Sequence, residues 1–162
     1  MIVGVTGHRF YDEPTALFLR ERVDALLRGW ADGGAVRLVS SLAEGADQLV
    51  ASVAVELAIP LEVVLPATGY RESLDATFLS EFDRLLAAAA TVTTLEFEEP
   101  GPAAYLAAGR AVLARSETVI AVWDGEPARG SGGTAQIVAQ ARARGIEVHV
   151  LWPDGYVRSD PS

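Results

Sequence analysis

The 162-residue sequence predicts a doubly wound α/β domain with a mostly parallel six-stranded sheet and helices on both faces. Three observations lead there. Six short, β-branched apolar runs punctuate the chain, five longer stretches carry apolar residues at helical spacing, and the two kinds alternate. Strand and helix in alternation imply βαβ crossovers, hence parallel strands covered on both faces.

The elements follow in order. A strand over 2–5 precedes a helix whose stripe is Leu19, Val23, Leu26, Leu27 and Trp30. A strand over 36–39 leads to a second stripe of Ala46, Leu49, Val50, Val53 and Leu57. The strand over 61–65 is followed by Phe78, Phe82, Leu85 and Leu86, and the strand over 92–97 by Tyr105, Ala108, Val112 and Leu113. After the strand over 118–123 comes the stripe Thr134, Ile137, Val138 and Ala141, and a strand over 147–151 closes the set. Each stripe follows the i, i+3, i+4, i+7 rule of an amphipathic helix. Residues 1–152 read as one domain, and 153–162, without periodicity, as an end segment that frays.

Composition narrows the function classes. Half the residues are hydrophobic, yet no apolar run approaches the roughly 18 residues of a membrane span, so no membrane partner is expected. The N-terminus enters an apolar strand at once, without a charged leader region. No cysteine is present, which excludes disulfides and thiolate chemistry and makes cytoplasmic residence the expectation. Thirteen basic residues, all arginine, stand against 22 acidic ones, a net charge of −9. That balance opposes a grip on a long phosphate backbone, so the expectation is no nucleic acid. A small phosphate-bearing ligand held by backbone N–H groups remains compatible with it.

In an open α/β sheet, ligands bind beyond the carboxyl ends of the strands. Three loops of unusual composition fall there: "VTGHR" after the first strand, "SSLAEGAD" after the second and "WDGEPARGSGGTAQIV" after the fifth. Gly7, His8 and Arg9 come from the first, with His8 and Arg9 able to donate to phosphate or ribose. Ser40, Ser41, Glu44, Gly45 and Asp47 come from the second. Glu44 and Asp47 suit the first turn of a helix, and equally suit ribose hydroxyls or activation of water. The third brings Asp124, Arg129, Gly130, Gly132, Gly133 and Thr134, glycines whose N–H groups would face an anion while Thr134 opens the helix.

Several chemistries are excluded. Gly130, Gly132 and Ala135 fit a dinucleotide fingerprint, but on the last βα turn rather than the first, so a nicotinamide cofactor is not expected. No Lys-Ser/Thr pair follows the glycines, two distant histidines make no metal set, and no nucleophile elbow is visible.

These motifs, in this order and with "YLAAGRAVLARSETVIAVWDG" between them, resemble the SLOG superfamily, which contains the Smf/DprA DNA-processing proteins and the LOG phosphoribohydrolases. The resemblance implies a Rossmann-like domain that binds a nucleotide or nucleotide-derived ligand at the three loops, with Tyr105 and Arg110 as further ligand-side positions and a homodimer as one arrangement. It also exposes a departure. LOG enzymes end their glycine loop in P-G-G-x-G-T-x-x-E, and here Ile137 stands where the final carboxylate belongs. The reading is therefore ligand binding or sensing without catalysis. The alternative is N-glycosidic hydrolysis carried by Glu44 or Asp47.

Overall fold

A computed structural model of the chain describes residues 1–127 and 133–156. Six strands, β1 (Ile2–Gly7), β2 (Arg37–Ser40), β3 (Leu61–Ala67), β4 (Thr91–Phe97), β5 (Thr118–Val122) and β6 (Glu147–Leu151), form one sheet in the order β4-β3-β2-β1-β5-β6. Every pairing is parallel. The fold is the doubly wound Rossmann-like α/β architecture that the alternation predicts.

The helices between the strands are α1 (Glu13–Gly33), α2 (Ala46–Glu56), α3 (Tyr70–Ser73), α4 (Ala76–Ala88), α5 (Pro102–Arg115) and α6 (Thr134–Ala143). Local chemistry starts them. Asp12 caps α1 by accepting from the Thr15 N–H at 2.9 Å, with Pro14 in the first turn, and Asp75 caps α4 in the same way through Thr77. The β-branched run of β5 is buried at all five positions, as befits a strand near the middle of a covered sheet.

Two cores result. On one face Val23 and Leu27 of α1, Val50 and Val53 of α2, and Phe82 and Leu85 of α4 pack with Val3 and Val5 of β1. On the other, Leu113 of α5 meets Val119 of β5 and Ile137 and Ala141 of α6, while Val112 packs with Val39 and Val64. Strand order explains the division. From β1 to β4 the chain steps one way across the sheet, then returns through α5 to place β5 on the far side of β1. Right-handed crossovers in opposite directions put their helices on opposite faces. The reversal point lies between β1 and β5, where a crevice opens at the carboxyl ends.

Some boundaries differ from the periodicity. β1 runs to Gly7 because Thr6 and Gly7 pair with Ala121 and Val122 of β5. The short helix α3 carries no stripe, so the periodicity does not predict it. Of the segment 153–162, residues 153–156 are described: the Tyr156 ring lies 5.4 Å from that of Trp152, and its hydroxyl accepts from the Asp12 N–H at 3.0 Å. Among the described residues no helix is long and apolar enough to cross a membrane.

Candidate functional site

At the carboxyl ends of β1, β2 and β3 lies a cleft of about 400 Å³. Its walls come from the three sequence-flagged loops and from α5. Gly7, Arg9, Ser41, Glu44, Asp47, Tyr105, Gly133 and Thr134 line it. Ile137 lines it too, its side chain buried, at the position where the resemblance would place a carboxylate.

Glu44 is the hub of this wall. Only 5% exposed, it accepts from Arg9 Nη2 at 2.5 Å through one oxygen and from the Asp75 N–H at 3.0 Å through the other. One carboxylate thus ties the loops after β1 and β2 to the segment that starts α4. Arg9 itself is half exposed at the rim, its guanidinium 5.4 Å from the Phe10 ring centroid. Removing either partner would leave the other without its bond, and the cost falls mainly on the buried Glu44.

Asp47, in the first turn of α2, turns back on its own loop. Its Oδ2 accepts from the Ala43 N–H at 3.2 Å, and burial pushes its carboxyl up to about 7 even though hydrogen bonds from the Ala43 and Ser41 backbone oppose the rise. Two phenols share its surroundings. Burial, and secondarily the Asp47 charge, holds both Tyr11 and Tyr70 above the ordinary tyrosine range. The loop is further set by Ser40, whose hydroxyl accepts from the Leu42 N–H at 3.0 Å, and by Gln48, whose amide donates to the Leu42 carbonyl at 3.2 Å. Gly45 enters α2 with φ +83°, and a Cβ there would stand 2.4 Å from the Arg9 carbonyl oxygen.

Other sequence-flagged residues sit off the cleft wall. His8 is buried, edge-on to Trp152 at 5.3 Å, and its Nε2 lies 3.1 Å from both the N–H and Oδ1 of Asp124. This pair joins the loops after β1 and β5, and Asp124 Oδ1 also accepts from the Glu126 N–H. Arg110 of α5 donates from Nε to Gln140 Oε1 of α6 at 3.3 Å. Ser40 and Gly45 shape the second loop from behind. Arg129, Gly130 and Gly132 lie outside the described residues. No three His, Cys, Asp or Glu side chains gather as a metal-ligand set among the described residues.

The cleft also includes residues that periodicity does not flag. Tyr70 and Ser73 of α3 and the following Leu74 form one side, with the Tyr70 ring 6.4 Å from that of Tyr105 and 6.1 Å from Phe82. Pro102 and Gly109 of α5 form another. The signal for the first group is positional: "TGYRESLD" follows β3, so it meets the same edge as the flagged loops.

This arrangement defines the class of fold, a doubly wound Rossmann-like domain. No protein-family model matches the chain, and no curated protein matches it in sequence. Among solved structures, it is similar to DNA processing protein A from Helicobacter pylori, described for its single-stranded DNA binding mode. The TM-score is 0.69 and the identity 20%, over 96% of this chain and 66% of that one. DNA processing protein A from Streptococcus pneumoniae gives 0.69 at 17% identity, over 94% of this chain and 50% of that one. The structural genomics target TM1055 gives 0.58 at 18%, over 91% and 71%. The chain therefore spans half to about two thirds of the DNA processing proteins, and the likeness is one of fold.

It corrects one expectation. Net charge argues for excluding nucleic acid, yet a protein of this fold binds single-stranded DNA. Net charge sums over a whole surface and bears on steering and solubility; contact with a strand is decided by the local surface. The exclusion does not stand.

Proposed function

We propose that the cleft binds a nucleotide or nucleotide-derived ligand and leaves it intact. The observation that carries this reading is the convergence of the starts of α2, α5 and α6 on one cleft beside the β1/β5 reversal, through Asp47, Pro102 and Thr134. Helix N-termini carry positive dipole ends, which suit an oxyanion, although at the start of α2 the Ala46 N–H already donates to the His8 carbonyl at 3.1 Å. Tyr105, 39% exposed on the cleft wall, offers a ring face to a base. The absence of turnover is supported by Ile137: an aliphatic side chain there provides neither charge for an oxocarbenium-like state nor a base for water.

Thermal unfolding of the purified protein with nucleosides and nucleotides, followed by chromatography, tests this. Ligand at a hundred times its Kd adds about 2.7 kcal/mol, which moves Tm by about 5–10 °C in a chain of this size. The expected result is a shift with the ligand recovered whole. No shift with any nucleoside or nucleotide would overturn the reading.

One observation favours turnover instead. A cleft carboxyl poised near pH 7, as Asp47 is, suits general acid–base work. Free base in the chromatogram, lost in Asp47→Asn, would establish N-glycosidic hydrolysis.

A further inference from the structure

The charged side chains that line the cleft are, among the described residues, Arg9, Glu44 and Asp47. Two are acids and one is a base, and the base is already engaged, with Arg9 Nη2 held 2.5 Å from Glu44. Asp47 has its carboxylate on the Ala43 amide rather than on a cation. The remaining polar lining, Thr6, Ser41, Tyr70, Ser73, Tyr105 and Thr134, is hydroxyl-bearing. A phosphate monoester brings close to two negative charges at neutral pH, and a triphosphate more. Partial charges at helix starts amount to about half a unit each and fade within a turn. They can match one negative charge here, whereas further charge meets the Asp47 carboxylate, which, unlike Glu44 beside Arg9, has no cation at hand among the described residues, in a medium that screens less than water.

We infer that the cleft selects a nucleoside or nucleoside phosphodiester carrying at most one negative charge over phosphate monoesters and polyphosphates. This rests on the nucleotide reading above and specifies the ligand class within it. Hydroxyls of the sugar donate to Glu44 and Asp47, which accept without needing a cation, and a single phosphodiester charge faces the start of α6.

Calorimetric titration of the full chain at pH 8 tests it, with adenosine, 3′,5′-cyclic AMP, AMP and ATP as probes and the same four forms of guanosine, cytidine and uridine. For the base that binds, the nucleoside or the cyclic phosphodiester should exceed the monoester by about tenfold, the size of a Coulomb term between charges about 6 Å apart in a half-wet cleft. The triphosphate should be weaker again. The nucleoside and cyclic arms separate the two low-charge sources. AMP affinity should rise as the pH falls from 8 to 5.5, because the phosphate takes up its second proton near pH 6 and Asp47 its own near 7. Asp47→Asn, which keeps an oxygen for the Ala43 amide, should raise AMP affinity about tenfold at pH 8. Affinity that climbs from nucleoside to monoester to triphosphate would overturn the inference and leave the nucleotide reading standing. So would a fall in AMP affinity in Asp47→Asn. Should that variant not fold, the pH series on the unaltered protein decides the same question. If no probe in any series binds, the nucleotide reading fails and this inference with it.

Discussion

Replacing Gly45 by alanine forces a Cβ into a backbone conformation of φ +83°, ψ −120°, 2.4 Å from the Arg9 carbonyl oxygen. The obstructing atom is main chain, so no side-chain rotation relieves the contact. Strain in such a sparsely populated conformation costs about 1–3 kcal/mol, and displacing the Arg9 carbonyl or the start of α2 adds about 1–2 kcal/mol, as overpacking does in a closed site. A total of about 3 kcal/mol is a large share of the roughly 5–15 kcal/mol that stabilises a domain. It should lower Tm by about 6–12 °C at this chain length. Gly29 serves as the control. It lies within α1 with nothing near its missing Cβ, and alanine there should stabilise by about 0.5–1 kcal/mol. Circular dichroism melts of the two variants and the unaltered chain are sufficient. A Gly45→Ala protein melting within about 2 °C of the unaltered chain would refute the claim that this close approach holds the first two loops together.

The carboxyl of Asp47 lies near 7 in the fold against an ordinary 3.8. The fold therefore prefers the protonated form, and its contribution to stability is full below about pH 4 and lost as pH rises through 7, at most about 4 kcal/mol. Relative to Asp47→Asn, the unaltered chain should lose stability between pH 5 and 8, and parallel stability curves in urea would contradict this. At Gly109 of α5 a Cβ would come 2.5 Å from Ile137 Cδ1, the flexible end of a side chain. Gly109→Ala and Ile137→Val should therefore couple in a double-mutant cycle by about 0.5 kcal/mol or more, with the second change relieving the first. Asp12→Ala removes the α1 cap and should cost about 1 kcal/mol, seen as a Tm lowered by about 2–4 °C.

The sequence revealed the layers more fully than the site. Alternating runs and stripes are long-range periodic signals, and Val23, Val50, Phe82, Val112 and Ile137, one from each stripe, are all buried because burial is what generates the period. The described parts of the three glycine-bearing loops fall at the carboxyl edge because each follows a strand of a parallel sheet. What the sequence withheld was partnership. "EGAD" reads as two first-turn acids, and nothing in it says that Glu44 binds Arg9 and the Asp75 amide while Asp47 binds the loop before it. His8 and Asp124 lie far apart in the chain, and only the β1–β5 pairing brings them together. Tyr70 has no periodic signal because α3 is a single turn, too short to show a stripe.

The parallel pairing of β1 with β5 sets Val3 beside Thr118, with most of the chain between them. During synthesis the first four strands can assemble while one side of β1 still exposes unpaired backbone. That edge is closed only when residues 118–122 emerge, and contacts so remote in sequence form slowly. The cleft takes Val119, Gly133 and Thr134 from beyond this seam, so it comes into being last. A bound ligand can reward the finished protein but cannot guide its early assembly. The half-made sheet, with its strand edge open, is the stage most exposed to pairing with the wrong chain.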